Sequence, residues 1–224
     1  MFWRFGGYAN TSTLDSILEK PDVTLEELLD ESDLIQELKA QNAKLIEFLR
    51  EDKALEKLLK YVLSDKPSEA PAEEKEEEDE SKSSGGFFKN RAMRSRSRGM
   101  SESEEDKQES KRAKYAFVSC EILSSEVYSI HESLLAMPEN LREFWTFIKR
   151  PAPLDALQAS YFTKINEMLL EKKNEDMIAF IKTIDNVVPD LMKHVDCPTI
   201  MDLLLKLISL EKEPEGQGVV DVSY

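Results

Sequence analysis

Glycine is scarce, at 7 of 224 residues, and long Leu-rich stretches stand where a turn-rich chain would place its breaks, so an all-β architecture is the least favoured class. There are only two cysteines, Cys120 and Cys197, both in apolar-periodic stretches. They read as small buried hydrophobes in a reducing compartment, not as a disulfide. No apolar run approaches the roughly 18 residues of a membrane span, and Met1-Phe-Trp-Arg-Phe-Gly-Gly has no signal-peptide core. The expectation is a soluble, intracellular protein, cytoplasmic with a possible nuclear pool.

Leu, Ile and Val are missing altogether between Leu63 and Val118, where Glu, Lys, Ser, Arg and Pro take over. Such a segment cannot bury enough apolar surface to offset the entropy of ordering. We read 64–112 as a disordered charged insert between helices 1–63 and their continuation at 113–212, with 213–224 a linker or truncated end. The net charge of −15 divides as −5, −3 and −7 over 1–63, 64–112 and 113–224. The helical parts therefore carry most of the acidity, which disfavours nucleic acid or an anionic membrane as a ligand.

With apolar residues at 41%, a real core is available. Thr11-Ser-Thr precedes Leu14, Ile17 and Leu18, with a stop at Pro21. Thr24 and Glu27 form a capping box, and Asp33 with Gln36 repeats the pattern. Leu34, Leu38, Gln41, Leu45 and Phe48 make one amphipathic stripe flanked by Ile35 and Leu49, and Leu55, Leu58, Leu59 and Val62 make another. Beyond the insert, helices are expected near 113–123, 125–137, 139–150, 153–173, 175–184, 187–195 and 198–211. Pro138, Pro153 and Pro198 fall in first turns. Pairs starting near 113, 138 and 175 suggest an all-α, irregular HEAT/armadillo-like stack. The last helix, with Leu203, Leu204, Leu205, Leu207, Ile208 and Leu210, is apolar around most of its circumference, which predicts a fragment of a longer stack.

No catalytic constellation is found. His131-Glu132 has Leu at 135, so the zinc-protease pattern fails, and His194 with Cys197 lacks a second ligand pair. Phosphate-binding loops, nucleophile elbows and dinucleotide fingerprints are absent. We expect no cofactor and no metal. Phe2, Trp3, Phe5 and Tyr8 precede the first helix; they read either as a plug on the first helix pair or as anchors into a partner. In the insert, Glu73 to Glu80 is acidic and Lys89 to Arg98 basic. Ser97 and Ser101 have Arg three residues upstream, and Ser101 and Ser103 have an acid three downstream. These are candidate phosphorylation sites that would reverse the local charge; the basic run also suits nuclear import, or the insert is a solubilising spacer.

Met1-Phe-Trp-Arg-Phe and Glu27-Leu-Leu-Asp-Glu-Ser-Asp-Leu-Ile-Gln-Glu-Leu-Lys resemble the start of the SAPS-domain family. So do Ser119-Cys-Glu-Ile-Leu-Ser-Ser-Glu-Val, Ser160-Tyr-Phe-Thr-Lys-Ile-Asn and Ile200-Met-Asp-Leu-Leu-Leu-Lys-Leu, in family order. The chain looks like the N-terminal portion of a fungal member. The resemblance implies a non-catalytic regulatory or scaffold subunit of type-2A-like, protein phosphatase 6 class serine/threonine phosphatases. Its partner would be the catalytic subunit, which it helps direct to substrates in cell-cycle entry and nutrient signalling. The reading that does not depend on the resemblance is a generic helical adaptor.

Overall fold

The structure is a computed structural model that describes residues 13–64, 104–214 and 216–220. The described residues contain twelve α-helices, one 3₁₀ turn and no strand. Residues 13–64 form α1 (Thr13–Leu18), α2 (Leu25–Asp30), α3 (Leu34–Lys39), α4 (Ala43–Leu49) and α5 (Asp52–Val62). The remainder forms α6 (Glu104–Leu123), α7 (Tyr128–Leu135), α8 (Pro138–Trp145), a 3₁₀ turn (Thr146–Lys149), α9 (Ala156–Lys172), α10 (Asn174–Ile181), α11 (Val187–Met192) and α12 (Pro198–Leu210).

Local chemistry sets most of these boundaries. Thr24 and Glu27 make both capping-box bonds, each at 3.3 Å, and so fix the start of α2. Pro138 and Pro198 open α8 and α12, where a missing N–H costs nothing. Pro153 does not open α9; Asp155 caps that helix, accepting from the N–H groups of Leu157 and Gln158. Asp33 makes no capping bond either, and instead accepts from the Ser32 hydroxyl.

Two larger departures have physical causes. The stripe over 34–49 is broken in two because Gln41 adopts a left-handed conformation (φ 60°) and Asn42 caps α4 by accepting from Leu45 N–H. Secondly, α6 starts at Glu104, within the expected insert, where residue 113 was expected. Seven of the nine residues from Glu104 to Arg112 are the good helix formers Glu, Lys, Gln and Arg, and the described side chains there lie mostly toward water, so no apolar stripe is needed. The rest of the insert lies outside the described residues.

The three longest post-insert helices run parallel and side by side. Lys164 of α9 pairs with Glu121 of α6, and Lys172 with Glu126, partners 43 and 46 residues apart. Thr163 and Lys206 bridge α9 and α12 through the carbonyls of Thr199 and Glu167, 36 and 39 residues apart. The spacings rise together along both pairs, which requires parallel helices one repeat apart. They correct the expected period of 25–40 residues to 36–46, nearer the HEAT range.

The other helices pack behind this layer: α7 and α10 against α9, α8 against α5, and α11 against α12 and the 3₁₀ turn. Phe162 of α9 is fully buried among Phe144, Trp145 and Phe147, with ring centroids 5.0, 5.3 and 5.3 Å away. At the other end, α2 is clamped to α5 and α6. Tyr61 donates to Glu26 at 2.6 Å and Tyr115 to Asp30 at 3.0 Å, and the two rings meet edge-to-face. Burial would raise both carboxyl pKa values, but the hydroxyl and lysine partners outweigh it and hold them below the usual range.

Candidate interaction surface

Of the residues considered for catalysis or metal, the two histidines turn out to be core, whereas Glu132 is exposed and paired with Lys173. His131 and His194 are fully buried, and His194 Nε2 lies 2.8 Å from the carbonyl of Ile148. Burial lowers the pKa of His131 against the opposing pull of the Ser125 and Leu123 backbone, with Lys172 and Lys173 adding to the fall. Cys197 is half-buried beside the Thr199 hydroxyl, and Cys120 is fully buried, its thiol pushed up to about 11 by burial. Neither cysteine is in a disulfide. Among the described residues no group of three His, Cys, Asp or Glu side chains is placed to hold a metal, and no helix is long and apolar enough to cross a membrane. Phe2, Trp3, Phe5, Tyr8, Ser97, Ser101 and Ser103 all lie outside the described residues.

What the fold does bring together is the outward face of α6 and α9. The inward stripe of α6 is Tyr115, Val118, Ser119 and Ile122; that of α9 is Ala159, Phe162, Ile165, Asn166 and Leu169. Phe117 and Leu157 fall out of phase with these stripes and are 50% and 55% exposed. Beyond both of them the Glu121–Lys164 ion pair links the two helices; one turn back from it lie Phe117 on α6 and Ser160 with half-buried Tyr161 on α9, and two turns back lies Leu157. Burial raises the pKa of Tyr161, with Cys120 and Glu121 adding to the rise and Lys164 opposing it.

Two further features border this face. A groove of about 390 Å³ runs between the end of α3 and the α6–α7 connection, lined among others by Leu38, Lys39, Gln41, Ser125 and Val127, with Glu121 on its rim. On the far side, Leu205 and Ile208 of α12 are exposed on the flank away from α9. The sequence alone missed Phe117, Leu157 and the ion pair. An aromatic out of phase with the buried period of its own helix is the signal that could have flagged Phe117.

Residues 166–224 match the SAPS family model, described as SIT4 phosphatase-associated protein. The chain is 34% identical over its whole length to extragenic suppressor of kinetochore protein 1 of Schizosaccharomyces pombe, covering 24% of that protein. It is 33% identical over 98% of its length to serine/threonine-protein phosphatase 6 regulatory subunit 3 of Gallus gallus, and 31% over 99% to regulatory subunit 1 of Homo sapiens, covering 21% of each. It thus spans between a fifth and a quarter of these relatives. No solved structure matches. Residues 166–224 thus resemble the SAPS family model, and similarity to the named relatives runs the whole length of the chain.

Proposed function

We propose that this chain acts within a non-catalytic regulatory subunit that binds the catalytic subunit of a type-2A-like serine/threonine phosphatase, of the protein phosphatase 6 class, and helps direct it to substrates. The observation that carries this reading is the similarity, over nearly the whole chain, to several proteins named protein phosphatase 6 regulatory subunits. The stack supports it physically, since parallel helices offer a broad contact surface, the form a protein partner needs. An acidic folded surface also argues against nucleic acid or an anionic membrane as the alternative ligand.

On the same reading Phe2, Trp3, Phe5 and Tyr8 are additional partner anchors, and Ser97, Ser101 and Ser103 are phosphorylation sites, in a cytoplasmic protein with a possible nuclear pool. The test is capture of a purified catalytic subunit by residues 1–224. Retention supports the proposal. Bound proteins that include no phosphatase would favour a general helical adaptor instead.

A further inference from the structure

We infer that the catalytic subunit docks on the outward face of α6 and α9, with Phe117 and Leu157 as apolar anchors beside the Glu121–Lys164 pair. This rests on the function proposed above. Three observations converge on the face. Its two anchors are large apolar side chains held half exposed on rigid helices, where little conformational entropy remains to be lost on binding. The ion pair joins two of the five segments on which the family resemblance rests, 119–127 and 160–166, and another, 200–207, lies alongside on α12. Glu121 and Lys164 pair across two of those segments on their water-facing side, so core packing alone does not account for them.

The face supplies a large part of the area needed. The 17 residues of α9 span about 25 Å at ~1.5 Å per residue. Two helices about 10 Å apart give a strip roughly 20 Å wide, and hence about 500 Å². A standard interface uses about 800 Å² per partner. An exposed aromatic anchor beside charged groups is a residue type in which binding energy concentrates. With the chain at −15, the partner surface should offer an apolar pocket within a basic rim.

The test measures affinity of residues 1–224 for a purified protein phosphatase 6 class catalytic subunit, with circular dichroism and melting as fold controls and light scattering for oligomeric state. Phe117→Ala with Leu157→Ala should weaken binding at least tenfold while the melting curve holds. Leu205→Ala with Ile208→Ala, on the far flank, should leave affinity unchanged. Exchanging the ion pair, Glu121→Lys with Lys164→Glu, should keep the melting temperature of a paired stack yet still lose affinity. Wild-type binding that the Phe117 and Leu157 variant leaves intact, or that the α12 variant weakens equally, overturns the inference alone. A wild-type dimer that becomes monomeric on Phe117→Ala, with phosphatase binding unaffected, overturns it in favour of a self-interface. If the wild-type chain does not bind at all, both the regulatory reading and this inference fall.

Discussion

Truncating Phe162 to Ala should remove much of what holds α9 to the helices behind it. The ring is fully buried and lies within 5.3 Å, centroid to centroid, of Phe144, Trp145 and Phe147, which come from α8 and the 3₁₀ turn. A buried Phe→Ala change costs about 3–5 kcal/mol through lost transfer energy and the cavity left behind. Aromatic pairs add about 0.5–1.5 kcal/mol each beyond area. Three such pairs put this site at the upper end, about 4–5 kcal/mol. Against a typical domain stability of about 5–15 kcal/mol that is a large fraction, and at roughly 2–4 °C per kcal/mol the midpoint should fall by about 10–20 °C. Urea unfolding followed by far-ultraviolet dichroism measures it, and Phe162→Leu, which refills most of the space, should cost less than half as much. A loss below about 1.5 kcal/mol for Phe162→Ala, with the denaturant slope unchanged, would refute the placement of Phe162 as the hub.

Other perturbations follow from the same contacts. Gln41 sits at φ 60°, so Gln41→Gly should stabilise the chain by about 0.5–1 kcal/mol in urea unfolding, whereas a loss would mean the turn is not left-handed. Asp30→Asn and Tyr115→Phe should show a coupling of about 0.5 kcal/mol or more in a double-mutant cycle, since they share a 3.0 Å bond. The folded pKa values of Glu26 and Asp30 are lowered, so their contribution is complete above the unfolded carboxyl values near 4 and is lost as pH falls through the folded ones. Tyr61→Phe with Tyr115→Phe should therefore flatten the acid limb of the stability profile below about pH 4. For His131 the folded pKa is lowered by burial, so stability is full above the unfolded value near 6.5 and declines as pH drops below it. Comparing pH 7.5 with pH 5.5, His131→Gln should show a smaller decline than wild type.

The legible parts of this fold are those that local chemistry decides. A capping box needs only Thr24 and Glu27 three residues apart, and a proline at N1 needs only its own ring, so both are readable from the chain and both are present. The break at Gln41 escaped because Gln carries no strong left-handed preference; only the neighbouring Asn42, a good N-cap, hinted at a new start. The early start of α6 escaped because absence of branched aliphatics excludes burial, not helix: Glu, Lys, Gln and Arg propagate a solvated helix well.

The surface was legible only in part, and the reason is geometric. Nothing near Glu121 in the sequence indicates that Lys164, 43 residues on, will stand opposite it. That pairing depends on how the chain packs through α7, α8 and the connections before it returns to the front layer. A local pattern fixes which side of a helix faces inward, whereas the packing of each excursion behind the layer fixes which turns of neighbouring helices meet. The excursions here, 43–46 and then 36–39 residues long, bring 119–127, 160–166 and 200–207 side by side across one layer. Three segments scattered over some ninety residues thus become one continuous surface. Inserting a single residue into the α8–α9 connection would leave each helix intact. An insertion within α7, by contrast, would rotate the following residues by about 100° around the helix and put its buried stripe out of phase. Binding should therefore survive the first change and fail with the second, an outcome set by the phase of the helices and not by their composition.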